Sequence, residues 1–103
     1  MTVETFFVKN GKPIIYKNQS ARLLYGYDLS DWLDEIGTTL ESVTAVVVGV
    51  AIDGDAFHQD GALCAWITGL DETEGAVNSC CFSFVCADGS EDERTIYFQK
   101  RPA

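Results

Sequence analysis

The sequence predicts an all-β chain folded as an antiparallel β-sandwich of about seven short strands. Three observations predict it. Apolar and polar residues alternate at a period of two in several short segments. Turn residues punctuate those segments at sandwich-like spacing. No heptad, internal repeat or low-complexity stretch competes with that pattern. The clearest segment is the last quarter. Cys80, Phe82, Phe84 and Cys86 fall on one face of a strand, and Cys81, Ser83 and Val85 on the other. Asp88-Gly89 supplies a turn, and Thr95, Ile96, Tyr97 and Phe98 form a second strand of β-branched and aromatic residues. The result is a hairpin with acids at its tip.

The remaining elements follow in chain order. Val3 to Lys9 is apolar and β-rich, Asn10-Gly11 is a strong hairpin signal, and Pro13 to Lys17 runs extended. Pro13 forbids a central-strand position, so this piece is an edge hairpin or an arm. Leu23 to Tyr27 is a short strand. Asp28 to Gly37 reads as a helical turn near 29–36, capped by Asp28 or Ser30 and pinned to the core by Trp32, Leu33 and Ile36. Leu40 to Val50 is the longest β run. It is apolar on both faces, which predicts a central strand. An acidic, turn-rich connection, 52–61, leads to a strand from Ala62 to Thr68 that carries Cys64 and Trp66. The core is expected to hold Trp32, Trp66, Phe82, Phe84 and Phe98, aromatics at alternating strand positions. The alternative for these rings is a sugar-stacking platform.

At 103 residues the chain has the length of one domain, with 47% hydrophobic and 22% charged residues, near the globular average. No apolar run approaches the ~20 residues of a membrane-spanning helix. The N-terminus lacks the basic region of a secretory signal, and an early acid argues for synthesis and retention in a cytoplasm. The four cysteines form no CxxC pair and fit buried thiols. The net charge of −9 is unevenly spread. Residues 1–22 set four cations against one acid, and residues 23–99 set Arg94 alone against fifteen acids. An acidic body repels phosphate, which excludes nucleic acid as a partner. A basic arm on such a body suits an acidic surface, including that of another copy. The chain therefore divides into an N-terminal edge hairpin or arm, 1–22, and a sandwich, 23–103.

Little in the chain points to catalysis. Asp53, Asp55 and Asp60 are the best metal candidates. An EF-hand loop would need oxygen ligands where Phe57 and Cys64 stand, so solvated turn aspartates are the better reading and no metal is assigned. His58 is the single histidine, with no thiol placed beside it and no orienting Asn or Asp. No catalytic residue and no cofactor is expected. The candidate site is a subunit interface. Phe6, Phe7, Ile14, Ile15 and Tyr16, with Lys9, Lys12, Lys17 and Arg22, make an apolar, basic segment suited to joining a neighbour's sheet edge. Equally, the segment is the first hairpin of the same sandwich.

Three pieces carry a family resemblance: Tyr27 to Leu33 followed by Thr39 to Thr44, then Ala65 to Leu70 with Gly75, and finally Ala87 to Tyr97. In order and spacing the chain resembles the small immunoglobulin-like structural proteins of tailed bacteriophages, of the phage fibre or head-decoration type. The resemblance spans about residues 23–99. It departs at Gly69-Leu70, where the family has a Gly-Gly pair, and at Ala45, where it has an aromatic residue. It implies an Ig-like sandwich and a non-enzymatic virion protein, a capsid decoration, cement or head-fibre component assembled in the host cytoplasm. Its implied partners are the major capsid protein or fibre and neck subunits, with homo-oligomers, no nucleic acid and no membrane. A second hypothesis, of a different class, is an Ig-like adhesion module for a host cell-surface glycan or protein.

Overall fold

The computed structural model describes residues 7–9 and 12–100, with side chains from Ile14 to Lys100. Among these the chain is mostly β, with nine strand segments, one short helix and two sheets. The strands are β1 (Phe7–Lys9), β2 (Lys12–Lys17), β3 (Leu23–Asp28), β4 (Leu40–Val48), β5 (Ala51–Ile52), β6 (Phe57–Gln59), β7 (Ala62–Thr68), β8 (Ser79–Cys86) and β9 (Glu91–Lys100). Helix α1 spans Ser30–Ile36. One sheet runs β1-β2-β9-β8-β4; the other centres on β7, with β3 on one side and β5 and β6 on the other.

The sequence alternation decides which side chains enter the space between the sheets. Cys80, Phe82, Phe84 and Cys86 are buried, as their spacing predicts, and β9 adds Ile96 and Phe98. From the facing sheet come Tyr25, Leu63, Ala65 and Ile67. Tyr25 meets Phe98 edge to face, with ring centroids 5.0 Å apart. Trp32 likewise stands edge-on to Phe84 at 5.6 Å, so α1 closes one end of the core. Asp28 organises the start of that helix: its Oδ1 accepts from the Ser30 N–H (2.8 Å) and hydroxyl (2.7 Å). Gly37, at φ 73°, ends it by donating its N–H to the Leu33 carbonyl.

Five expectations are corrected. The long apolar run is an edge strand, not a central one: among the described residues β4 pairs only with β8 and ends its sheet. Val43, Ala45 and Val47 pack against the core, but Val46 and Val48 stand 69% and 52% exposed. Apolar content on both faces measured β propensity here, not burial. The longest strand is β9 rather than this one. Trp66 is only half-buried, because Leu63, Ala65 and Ile67 occupy the core-facing parity of β7. Ile36 is 41% exposed at the end of α1, leaving Leu33 and Trp32 to hold the helix. Finally, the sandwich is antiparallel except at one ladder: β2 runs parallel to β9, with Ile14 opposite Tyr97 and Ile15 opposite Phe98. That ladder joins the first hairpin to the five-stranded sheet. The Asn10-Gly11 turn itself lies outside the described residues, although the strands it joins pair antiparallel.

Candidate assembly surface

A sheet that is not closed leaves rows of unpaired backbone groups at its edges, which are the natural places for another chain to add. Among the described residues the five-stranded sheet has two such edges, β1 and β4. They differ in charge. β1 carries Lys9, opposite Lys12 of β2 in register. β4 carries one charged residue, Glu41, and lies beside the 52–56 segment with Asp53 and Asp55.

The β4 edge is built from small and β-branched residues. Val46 and Val48 project to solvent on the outer face, and Val77, 60% exposed, stands just beyond the strand pair. Gly49 holds that corner together. It adopts φ 74°, and a Cβ there would collide with the Asn78 side chain and the Val77 carbonyl. On the inner side of the edge a groove of about 500 Å³ runs between Val43 and Ala45 on β4 and Ile52, Asp55 and Ala56. Farther along, the His58 ring Nε2 lies 3.3 Å from the Glu41 carbonyl, which covers that end of the edge.

The sequence-predicted interface residues are distributed quite differently from one another. Phe6 lies outside the described residues, and Phe7, Lys9 and Lys12 are placed by backbone only. Ile14 and Ile15 are 4% and 2% exposed. Ile15 belongs to the core, drawn in by its ladder with β9. Lys17 is also buried. Its Nζ donates to the carbonyls of Asn18 (3.0 Å) and Ala21 (2.6 Å), and loss of water lowers its pKa from the ordinary 10.5. Tyr16 and Arg22 remain on the surface. Arg22 is engaged within the chain: its Nε pairs with Asp53, and its guanidinium lies 4.5 Å from the centre of the Trp66 ring. Sequence reasoning missed the valine edge. The signal was present in Val46 and Val48, whose parity opposes Ala45 and Val47.

Several of the acids serve local structure. Asp71 accepts from the Thr73 N–H, Asp88 from the Ser90 N–H, and Asp92 pairs with Arg94 at 2.8 Å. Those partners hold the three carboxyls below the ordinary value of 3.8. Glu72 reaches Lys100 at 3.7 Å. Among the described residues no group of three or more His, Cys, Asp or Glu gathers in metal-binding geometry. All four cysteines are free thiols, and Cys64, Cys80 and Cys86 are buried. Burial, with Cys81 beside it, pushes Cys80 up to about 12, far from the range of a reactive thiolate. No helix among the described residues is long and apolar enough to cross a membrane.

The described features are those of a packed sandwich with open edges. No curated protein matches the chain. The profile of the Gp77 family, described as "Podophage GP4 fiber-tail adaptor protein gp77", matches residues 17–99, which take in every strand from β3 to β8 and nearly all of β9. The chain therefore belongs to the Gp77 family of podophage fibre-tail adaptor proteins, a family of phage structural proteins.

Proposed function

We propose that this chain is a non-enzymatic adaptor of the podophage virion that joins a fibre subunit to the tail. The observation that carries the reading is the family match across four fifths of the chain, residues 17–99. The geometry supports it. Open strand edges of unlike charge are means of attachment, while Asp71, Asp88 and Asp92 are engaged in turns or an ion pair and Cys64, Cys80 and Cys86 in core packing. The partners in this reading are other virion proteins, and the contact surface includes the basic N-terminal hairpin with Lys9 and Lys12, Tyr16 and Arg22. The capsid-decoration, cement and head-fibre roles use the same kind of surface at another part of the particle. Adhesion to a host glycan or protein would instead use the half-buried Trp66 with Arg22 above it.

The Ig-like form of the sandwich belongs to the same proposal. Its support is the strand order. If β3, β7 and β5/β6 correspond to strands B, E and D, and β4, β8 and β9 to C, F and G, the two sheets divide as in that fold, with β2 lying beside G. Counting β5 and β6 as one interrupted strand and β2 as the first then gives seven, with β1 an addition at the edge.

The test is particle assembly without the protein. Tails lacking it should carry no fibres, and adding the purified chain should restore them. Fibres attached at normal occupancy on such tails would overturn the adaptor reading. Heads that lose stability in its absence would support decoration, and binding of the isolated chain to cells would support adhesion.

A further inference from the structure

The two open edges of the five-stranded sheet face opposite ways on one molecule, and their chemistry is complementary. We propose that they meet between copies: β1 of one chain adds to β4 of the next, so that the sheets run on through a head-to-tail assembly. This rests on reading the chain as a virion structural protein present in many copies.

Strand direction is the first argument. β1 is antiparallel to β2, β2 is parallel to β9, and β9 and β4 are each antiparallel to β8. Followed across the sheet, β1 and β4 therefore run in opposite directions. A second copy placed alongside in the same orientation brings its β1 against β4 antiparallel, the more stable pairing per residue. Charge is the second argument. The first hairpin brings Lys9 on β1 and Lys12 opposite it on β2, and the uncovered part of the β4 edge lies beside Asp55, Glu41 standing at the end that His58 covers. Pairing β4 with another β4 would instead gather two sets of acids on chains already at −9 each. Apolar surface is the third. The incoming three-residue strand shields part of the apolar surface that Val46 and Val48 make on the outer face and Val43, Ala45 and Ile52 make beside the groove on the inner. Unlike edges make a heterologous contact, which propagates and closes into a ring when the rotation per copy allows.

The experiment uses the purified full-length chain alone, by sedimentation velocity across concentration. The wild-type chain should self-associate. K9E/K12E and V46K/V48K should each weaken association about tenfold or more, since each puts like charges at the contact. Val46 and Val48 are exposed, so the second variant should keep the wild-type circular dichroism and melting temperature. Mixing the two variants should restore assembly, because the basic β1 of one meets the native β4 of the other and the reversed edges also match. In the wild type, amide exchange at Val43 to Val48 should slow on assembly. A wild-type chain that stays monomeric at every concentration overturns the proposal. So does K9E/K12E that still dimerises alone while V46K/V48K does not, the signature of β4 pairing with itself. Assembly that persists while fibres fail to attach to tails would sink the adaptor reading and leave this one standing.

Discussion

Asn78 clamps Asp71 through both halves of its amide. Its Oδ1 accepts from the Asp71 N–H at 2.9 Å, and its Nδ2 donates to the Asp71 carbonyl at 3.0 Å. The side chain is 6% exposed, so these bonds are formed away from most water. Asn78 also marks the start of β8, where its own carbonyl accepts from the Phe98 N–H. One residue thereby fastens the 71–75 loop to the sandwich.

Removing the clamp should be costly. Asn78→Ala should destabilise the fold by about 1–3 kcal/mol, because it leaves a nearly buried backbone pair without partners. Gly49→Ala should also destabilise, through strain at positive φ and a collision with the same Asn78 side chain. Urea unfolding checks both. The two losses should be less than additive in the double variant, since Ala at 78 removes the atoms that Ala at 49 strikes.

Phe82 is fully buried between the sheets. Phe82→Ala should cost about 3–5 kcal/mol in equilibrium unfolding. Trp66→Ala should cost clearly less, since that ring lies outside the core under Arg22.

Stability should fall on both sides of neutral pH. Asp28, Asp71, Asp88 and Asp92 have carboxyls held below 3.8 by hydrogen bonds, with Arg94 also acting on Asp92. Their contribution is present above the unfolded value and is lost as pH drops through the folded one. Cys80 acts in the opposite sense. Its folded value of about 12 stands above the ordinary 9.0, so its contribution is complete below pH 9 and disappears as pH climbs toward 12. Thermal melts across the pH range should show a plateau with both declines. Cys80→Ala should make the alkaline limb shallower and leave the acid limb unchanged, the Cys64 and Cys86 thiols being raised by burial as well.

Thiol reactivity offers a separate check. Four thiols should titrate in the denatured, unreduced chain. In the native chain a small disulfide reagent should modify Cys81 first, as the half-exposed one of the four. Fast modification of Cys80 would contradict its burial.

Much of the fold was legible because period-two alternation and turn chemistry are local. Asp88-Gly89, the faces of β8, the limits of β7 and the helical turn after Asp28 all follow from neighbours in sequence. The edge position of β4 did not. Whether an apolar outer face meets another layer or solvent depends on which strand pairs with β8 on each side, a nonlocal fact. Trp66 misled for a related reason, since a large ring in a strand reads as core until the parity of Leu63, Ala65 and Ile67 is weighed against it. The candidate site was half legible. Charge asymmetry drew attention to the N-terminal hairpin, but the parallel ladder that takes Ile15 inward left no mark in the sequence of β2.

That parallel ladder also orders events during synthesis. Residues 12–17 leave the ribosome early, and their partners at 97–100 come last among the described residues. Until β9 emerges, Ile15 has no Phe98 to oppose it and the five-stranded sheet cannot close. Such a nonlocal closure is slow. The hairpin therefore passes the translation of most of its own chain without its β9 partner.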